Sequence, residues 1–331
     1  MSDIDTLLKL VQADIDTIDS TMSRDMETLE AILDSRLIEI LRYGLFGGGK
    51  RFRPLLMILS SRLCGGKGEQ LYTLAIAFEY LHMATLFHDD VIDQADTRRG
   101  KPSVCKMCGT AAAILAGDFL HARSMEMVGK IGGKKPLEIF CRATSAMVDG
   151  EFIQLRNANT FTLSEEEYFA AIEGKTALLI SAATEIGALY GGGEVEKQLA
   201  LKEYGRNLGY GFQIVDDILD YLGDAQTTGK AVGNDLVEGK MTLPLILALQ
   251  GADGGARGRI YNVLTDADER RLAFNEVCRF IEKYDGFALA RKKAEYCIEE
   301  ALRHLKLFLP EENRDRQILE GLARYALQRK K

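Results

Sequence analysis

Leu86-Phe87-His88-Asp89-Asp90-Val91-Ile92-Asp93-Gln94-Ala95-Asp96-Thr97-Arg98-Arg99-Gly100-Lys101-Pro102-Ser103 joins the end of an apolar run to an acidic turn, and then to a basic loop. Upstream, Leu71, Leu74, Ala75, Phe78, Leu81, His82 and Thr85 keep the i, i+3, i+4, i+7 rhythm of one helix face, and that stripe runs into Asp89. The spacing predicts a central helix over 71–93. Residues four apart on a helix lie one turn above each other, so Asp89 and Asp93 of the word Asp-Asp-x-x-Asp project together. Two stacked carboxylates on an otherwise apolar face repel each other, and a cation between them relieves the repulsion. Oxygen ligands in that arrangement suit Mg²⁺, which takes one or two carboxylates and completes its shell with waters and phosphates. The loop from Thr97 to Lys101 supplies donors for a phosphate group.

The same word recurs at Asp216, Asp217 and Asp220, followed by Thr227-Thr228-Gly229-Lys230 and then Gly239-Lys240. One acidic helix end is usually a solvated face. Two copies, each closing an apolar helix and each followed by a basic, glycine-bearing loop, point instead to a pair of ion-binding turns around a substrate diphosphate. Gly47-Gly48-Gly49-Lys50-Arg51-Phe52-Arg53-Pro54 adds a third basic loop, with Pro54 fitting the first turn of a helix over 55–63. A glycine-flanked basic loop feeding a helix start is a reasonable diphosphate cradle. His82 lies two turns before Asp89 and nearly on its face; a lone histidine in an apolar stripe is usually a core residue, and its alignment with the acidic cluster adds a diphosphate ligand as the alternative.

Strand signals are sparse, with five prolines, while Ala, Leu, Glu, Lys and Ile fill long windows at helical spacing. The fold class predicted is all-α, a bundle of about ten or more helices around a central apolar cavity. The length of 331 residues allows two domains, but one helical domain over 1–331 accommodates the whole pattern. Helices are expected over 3–42, 111–128, 136–155, 164–190 with a break near Gly174, and 196–221, and a flexible surface loop over 251–258. A net charge of −7 argues against a nucleic-acid partner. The six irregularly spaced cysteines suit a reducing compartment, and Cys105 and Cys108 read as ordinary buried thiols without a second metal-spaced pair. No signal-peptide core or transmembrane run is evident, so the expected location is cytoplasmic.

These motifs, with Gly174-Lys175-Thr176 and Phe212-Gln213 ahead of the second aspartate word, resemble those of the trans-isoprenyl (polyprenyl) diphosphate synthases, in that family's order and over roughly 40–325. The resemblance implies the isoprenoid synthase fold and a homodimer. It also implies that Mg²⁺, three ions in all, is held on an allylic diphosphate by Asp89, Asp90, Asp93, Asp216, Asp217 and Asp220. By the same resemblance Arg98, Lys175, Lys230 and Lys240 add positive charge there, while Lys50, Arg53, His82 and Arg99 bind the diphosphate of isopentenyl diphosphate. Lys175, Thr176 and Gln213 place polar groups near the developing allylic cation. The double bond of isopentenyl diphosphate attacks C1, and the released pyrophosphate takes up a proton. Contact with a membrane is implied only transiently, on product release.

Ala84 and Thr85, five and four residues before Asp89, are small, whereas short-chain members of the resembled family carry a Phe or Tyr there that closes the tunnel. A long product is therefore expected, from hexaprenyl to decaprenyl, such as a quinone side chain, with Leu81, Phe78, Met125 and Met127 as floor candidates. Three alternatives stay open: a shorter-chain geranylgeranyl or farnesyl diphosphate synthase, a non-catalytic subunit of a heteromeric synthase, and a class I terpene cyclase. The intact aspartate and basic sets weigh against the second. A second motif made of aspartates, and a chain with no Trp, weigh against the third.

Overall fold

The computed structural model describes residues 3–157, 161, 164–223, 233–310 and 313–329. Its first helices are α1 (Asp3–Glu30), α2 (Ser35–Leu45), α3 (Phe52–Leu63), α4 (Gln70–Ile92), α5 (Val104–Cys108), α6 (Thr110–Met127), α7 (Lys134–Asn157), α8 (Glu165–Ile172), α9 (Leu178–Tyr190) and α10 (Val195–Leu222). Then follow α11 (Asn234–Val237), α12 (Leu243–Gly251), α13 (Gly254–Thr265), α14 (Ala267–Leu272), α15 (Phe274–Lys283), α16 (Gly286–Leu305) and α17 (Arg314–Gln328). Two compact units share them. One comprises Met1–Arg142, Ala182–Lys202 and Leu305–Leu322; the other comprises Ala143–Ser181, Glu203–His304 and Ala323–Lys331.

The first unit is built around α4. Leu74, Ala75, Ile76, Ala77, Phe78, Tyr80 and Leu81 are all buried, so this helix is apolar on every side rather than along one stripe. Such a helix is stable only when surrounded. Here α1, α2, α3, α5 and α6 pack against it. The approach of α6 depends on a missing side chain: a Cβ at Gly117 would sit 2.3 Å from Nε2 of His88. The helix ends at Asp93, its C-cap, so all three aspartates of the first motif stand at the negative end of the helix dipole. Each carboxylate there costs about 0.3–1 kcal/mol. The second motif repeats the arrangement in the last turns of α10. Twice the chain places acid where helix stability disfavours it.

The basic loop after α4 is more ordered than its sequence suggested. It is an antiparallel hairpin of β1 (Thr97–Arg98) and β2 (Lys101–Pro102), with Thr97 opposite Pro102 and Arg98 opposite Lys101. The two turn residues, Arg99 at φ 53° and Gly100 at φ 73°, are both left-handed, as a type I′ turn requires. Glycine adopts this freely, whereas Arg99 bears a penalty of about 1–2 kcal/mol.

The second unit packs Ile214, Val215 and Ile218 of α10 against Leu243, Leu245 and Ile246 of α12, with Val277 and Ile281 of α15 and Ala290 and Ala294 of α16 in the same core. Ser164 and Glu167 close a reciprocal capping box at the start of α8. The break expected near Gly174 is a single π-helical turn, Glu173–Ala177, between α8 and α9. Backbones touch there: a Cβ at Gly174 would lie 2.6 Å from the Ala146 carbonyl, and one at Gly150 would lie 2.6 Å from the Lys175 nitrogen. The loop expected over 251–258 is instead the end of α12 at Gly251, a two-residue connection and the start of α13 at Gly254. Asp253 accepts a hydrogen bond from the Ala256 amide at 2.9 Å, and this N-cap starts a helix in a segment whose glycines alone disfavour one. No described helix is long and apolar enough to cross a membrane.

Candidate active site

In the first unit the basic candidates converge. Arg51, at the N-cap of α3 with φ 49°, turns its guanidinium inward. It donates to Asp19 at 2.7 Å, to Glu79 at 2.8 Å and to the Leu45 carbonyl at 2.8 Å. Arg51 is thus structural, while Arg53 is not anchored in the same way: among the described residues its buried Nε has no hydrogen-bond partner. Desolvation lowers the Arg53 pKa, only partly opposed by Glu79. Arg99 is lowered as well, by desolvation and then by Arg51 and Arg98, against the pull of Glu79. Gly49 lets the loop and the hairpin meet, since a Cβ there would lie 3.1 Å from Nη1 of Arg51 and 3.3 Å from Nη1 of Arg99. Lys50, next along the loop, is exposed.

His82 faces this cluster from α4. Burial holds its pKa well below the usual value, and the charges of Arg53, Arg99, Arg98 and Arg51 push it further down. The imidazole is neutral in the folded state, so below pH 6.5 the unfolded chain binds a proton that the folded chain does not. Stability is therefore full above that pH and is lost as pH falls beneath it, by at most about 1.4 kcal/mol per pH unit. His82→Gln removes this dependence. The wild-type melting temperature should fall more steeply than the variant's between pH 7 and pH 5, and equal slopes would refute the assignment.

Glu79, which no sequence motif marks, holds the cluster together. Arg51 and Glu79 have side chains 2% and 3% exposed and pair at 2.8 Å. Breaking a buried pair strands a charge, at about 3–5 kcal/mol. With Asp19 and the Leu45 carbonyl still on Arg51, Glu79→Gln should cost near the lower end of that range. Denaturant unfolding checks this, and a loss below about 1 kcal/mol would show that Arg51 does not depend on Glu79.

The first aspartate motif is not uniform. Asp90 is buried and accepts from Nε of Arg98 at 2.8 Å and from Nη2 at 2.5 Å. Its hairpin arginine thus serves as counter-ion to the helix end. Asp89 is half-buried and Asp93 exposed. Ala84, Leu81 and Phe78 are buried along the same helix, and Thr85 donates its hydroxyl to the His82 carbonyl at 2.8 Å. Phe78 meets Phe140 of α7 edge to face, with centroids 5.3 Å apart. Met127 is buried, and Met125 half-buried. Cys105 and Cys108 are both free and half-buried.

In the second unit one chain of hydrogen bonds links the candidates. Thr176 donates to the Gln213 carbonyl oxygen at 2.8 Å, and Gln213 donates to Oδ1 of Asp217 at 2.9 Å. Oδ2 of Asp217 accepts from the Tyr168 hydroxyl at 2.6 Å. Burial raises the Asp217 pKa well above the usual carboxylate range, and the charges of Asp235 and Asp216 add to this against its two hydrogen bonds. Lys175, on the π turn, pairs with Glu151 at 2.7 Å and donates to Gln154 at 3.0 Å. Asp220 accepts from the Asp235 amide at 3.1 Å, and Lys240 pairs with Glu238 at 2.5 Å. Asp216 accepts from Arg329 at 2.8 Å, whose guanidinium lies 3.9 Å over the Phe212 ring. Lys230 lies outside the described residues. Tyr168, Asp235 and Arg329 had no motif to betray them.

The donor set fits a divalent ion of the Mg²⁺ kind: each motif offers hard carboxylate oxygens stacked by helix turns. Among the described residues, neither motif alone gathers three ligating side chains around one point. Such an ion needs only one or two of them if phosphate and water complete its shell.

An all-helical scaffold with aspartate words ending two of its helices defines an isoprenoid synthase fold. It aligns with a polyprenyl synthase from Caulobacter crescentus CB15, crystallised with calcium and isoprenyl diphosphate, at a TM-score of 0.89 and 35% identity, covering 99% of this chain and 98% of that one. A decaprenyl diphosphate synthase from Rhodobacter capsulatus aligns at 0.88 and 33% identity, covering 99% of both chains. Residues 34–281 match the Polyprenyl synthetase family, and the chain belongs to it, among the trans-isoprenyl diphosphate synthases. It is a prenyltransferase. The octaprenyl diphosphate synthase of Escherichia coli is 38% identical over 297 residues, 89% of this chain and 91% of that protein. A short chain isoprenyl diphosphate synthase from Methanothermobacter thermautotrophicus is 35% identical over 302 residues, 90% of this chain and 92% of that protein.

Proposed function

We propose that this enzyme condenses isopentenyl diphosphate with an allylic diphosphate, in the presence of Mg²⁺, to build a long-chain all-trans polyprenyl diphosphate, hexaprenyl to decaprenyl. The observation that carries the reading is the basic cluster of the first unit. Arg53 and Arg99 gather with Arg98 and Arg51 around a neutral His82, and among the described residues the buried Arg53 Nε has no hydrogen-bond partner. An under-compensated set of guanidinium groups is matched by a polyanion such as a diphosphate. Lys50, Arg53, Arg99 and His82 bind the isopentenyl diphosphate through it.

Asp89, Asp90, Asp93, Asp216, Asp217 and Asp220 serve the allylic diphosphate, with Arg98, Lys175, Lys230 and Lys240 adding charge. Three divalent ions held there would neutralise the diphosphate as it leaves. Thr176 and Gln213, already hydrogen-bonded to each other, present oxygen atoms to the cationic carbon, and apolar helix faces exclude water from it. The isopentenyl double bond then attacks C1, and the departing pyrophosphate takes the proton.

Small residues at Ala84 and Thr85 favour a long product, with Leu81, Phe78 and Phe140 as its stop. The relatives include both long-chain and short-chain synthases, so product size is the discriminating measurement. We take the catalytic unit to be the whole chain and its working form a homodimer, for which the exposed Ile114 and Leu115 of α6 and Met107 of α5 offer an apolar surface. Six free cysteines fit a cytoplasmic location. Purified protein incubated with farnesyl and isopentenyl diphosphates should yield long products with Mg²⁺ and none after chelation. No product with the ion present would refute the reading.

A further inference from the structure

We propose that Tyr168 is a positioning residue for the second aspartate motif, its hydroxyl fixing the carboxylate of Asp217 in the orientation that receives a divalent ion. The inference rests on the reading that this motif binds such ions. Tyr168 lies on α8 and is buried at 3% exposure, and Asp217 on α10 is buried at 5%. Tyr168 and Gln213 take one carboxylate oxygen each, at 2.6 and 2.9 Å. A carboxylate offers about four acceptor positions, so two donors fix its plane and leave lone pairs on both oxygens for an ion.

The donor is itself held. The Tyr168 ring packs edge to face on Phe169 at 5.6 Å, and Phe169 packs likewise on Tyr210 at 5.5 Å. The hydroxyl therefore cannot swing away without breaking an aromatic chain. Unlike Gln213, whose side-chain oxygen is engaged by Thr176, Tyr168 ends the hydrogen-bond chain among the described residues. Its position has one evident use, the aim of Asp217. Groups that orient a ligating side chain from behind contribute about 10- to 100-fold to ion affinity.

The test uses the full chain and Mn²⁺ as a paramagnetic stand-in for Mg²⁺, with free Mn²⁺ read by electron paramagnetic resonance in the presence of inorganic pyrophosphate. Tyr168→Phe keeps the ring and removes only the donor, so the ion-free protein should retain its circular dichroism and melt within a few degrees of wild type. Its Mn²⁺ affinity should fall about 10- to 100-fold. Asp217→Asn should weaken binding as well, and adding Tyr168→Phe to it should change nothing more, because the hydroxyl acts only through that carboxylate. If Tyr168→Phe binds Mn²⁺ like wild type while Asp217→Asn does not, the positioning role is overturned and the ion-binding reading survives. Equal binding by wild type and Asp217→Asn overturns both. A large loss of melting temperature with unchanged Mn²⁺ affinity marks Tyr168 as core packing and overturns the proposal.

Discussion

Asp89→Asn should lower turnover by about two to three orders of magnitude, the scale of losing one preorganised electrostatic contact to a leaving group, because the carboxylate that would hold a divalent ion against that group is gone. Asparagine keeps an oxygen at the same place and nearly the same volume, so the loss reports charge alone. The Mg²⁺ concentration for half-maximal rate should rise in parallel. Stability should hold within about 1 kcal/mol, because the variant removes a negative charge from the unfavourable end of the α4 dipole. A structural aspartate would give the opposite pattern, with melting temperature falling and activity following it. Assays across a Mg²⁺ series beside thermal unfolding separate the two. A variant with wild-type turnover would remove Asp89 from the machinery.

The second large effect concerns product size. Ala84 is five residues before Asp89, or about 7–8 Å down the helix at 1.5 Å per residue, whereas Phe78 is about 16 Å down. Ala84→Phe should therefore bring the stop up by roughly half, converting long products to short ones on chromatography. Stability gives an independent reading. A phenylalanine forced into a filled core costs about 1–3 kcal/mol, whereas one entering an open shaft costs little. Shortened products from a protein of near wild-type stability are expected. An unchanged product distribution would refute the placement of the growing chain along α4.

The central helix was legible because its apolar residues recur at helical spacing and its aspartates interrupt them at one point. The second aspartate word was legible for the same reason, and Gly174 foretold a break. What the sequence left unread depends on contacts far apart in the chain. Nothing in Lys50-Arg51-Phe52-Arg53 says that Arg51 turns inward to Glu79 and Asp19 while Arg53 is left without such anchors. Tyr168 and Asp217 are joined only by folding. The hairpin at Arg98 and Lys101 looks like a loop in the sequence because strands of two residues carry no periodicity. Gly254 to Gly258 looked flexible because propensity disfavours a helix there, and a single capping carboxylate at Asp253 outweighs it.

Arg329, pinned on the Phe212 ring with its guanidinium on Asp216, has a practical consequence for anyone producing this enzyme. Any polypeptide attached downstream of it departs from beside a carboxylate of the second aspartate word. A polyhistidine extension placed there would carry chelating imidazoles to the doorstep of any divalent ion that this word holds. Purification handles belong at the amino end.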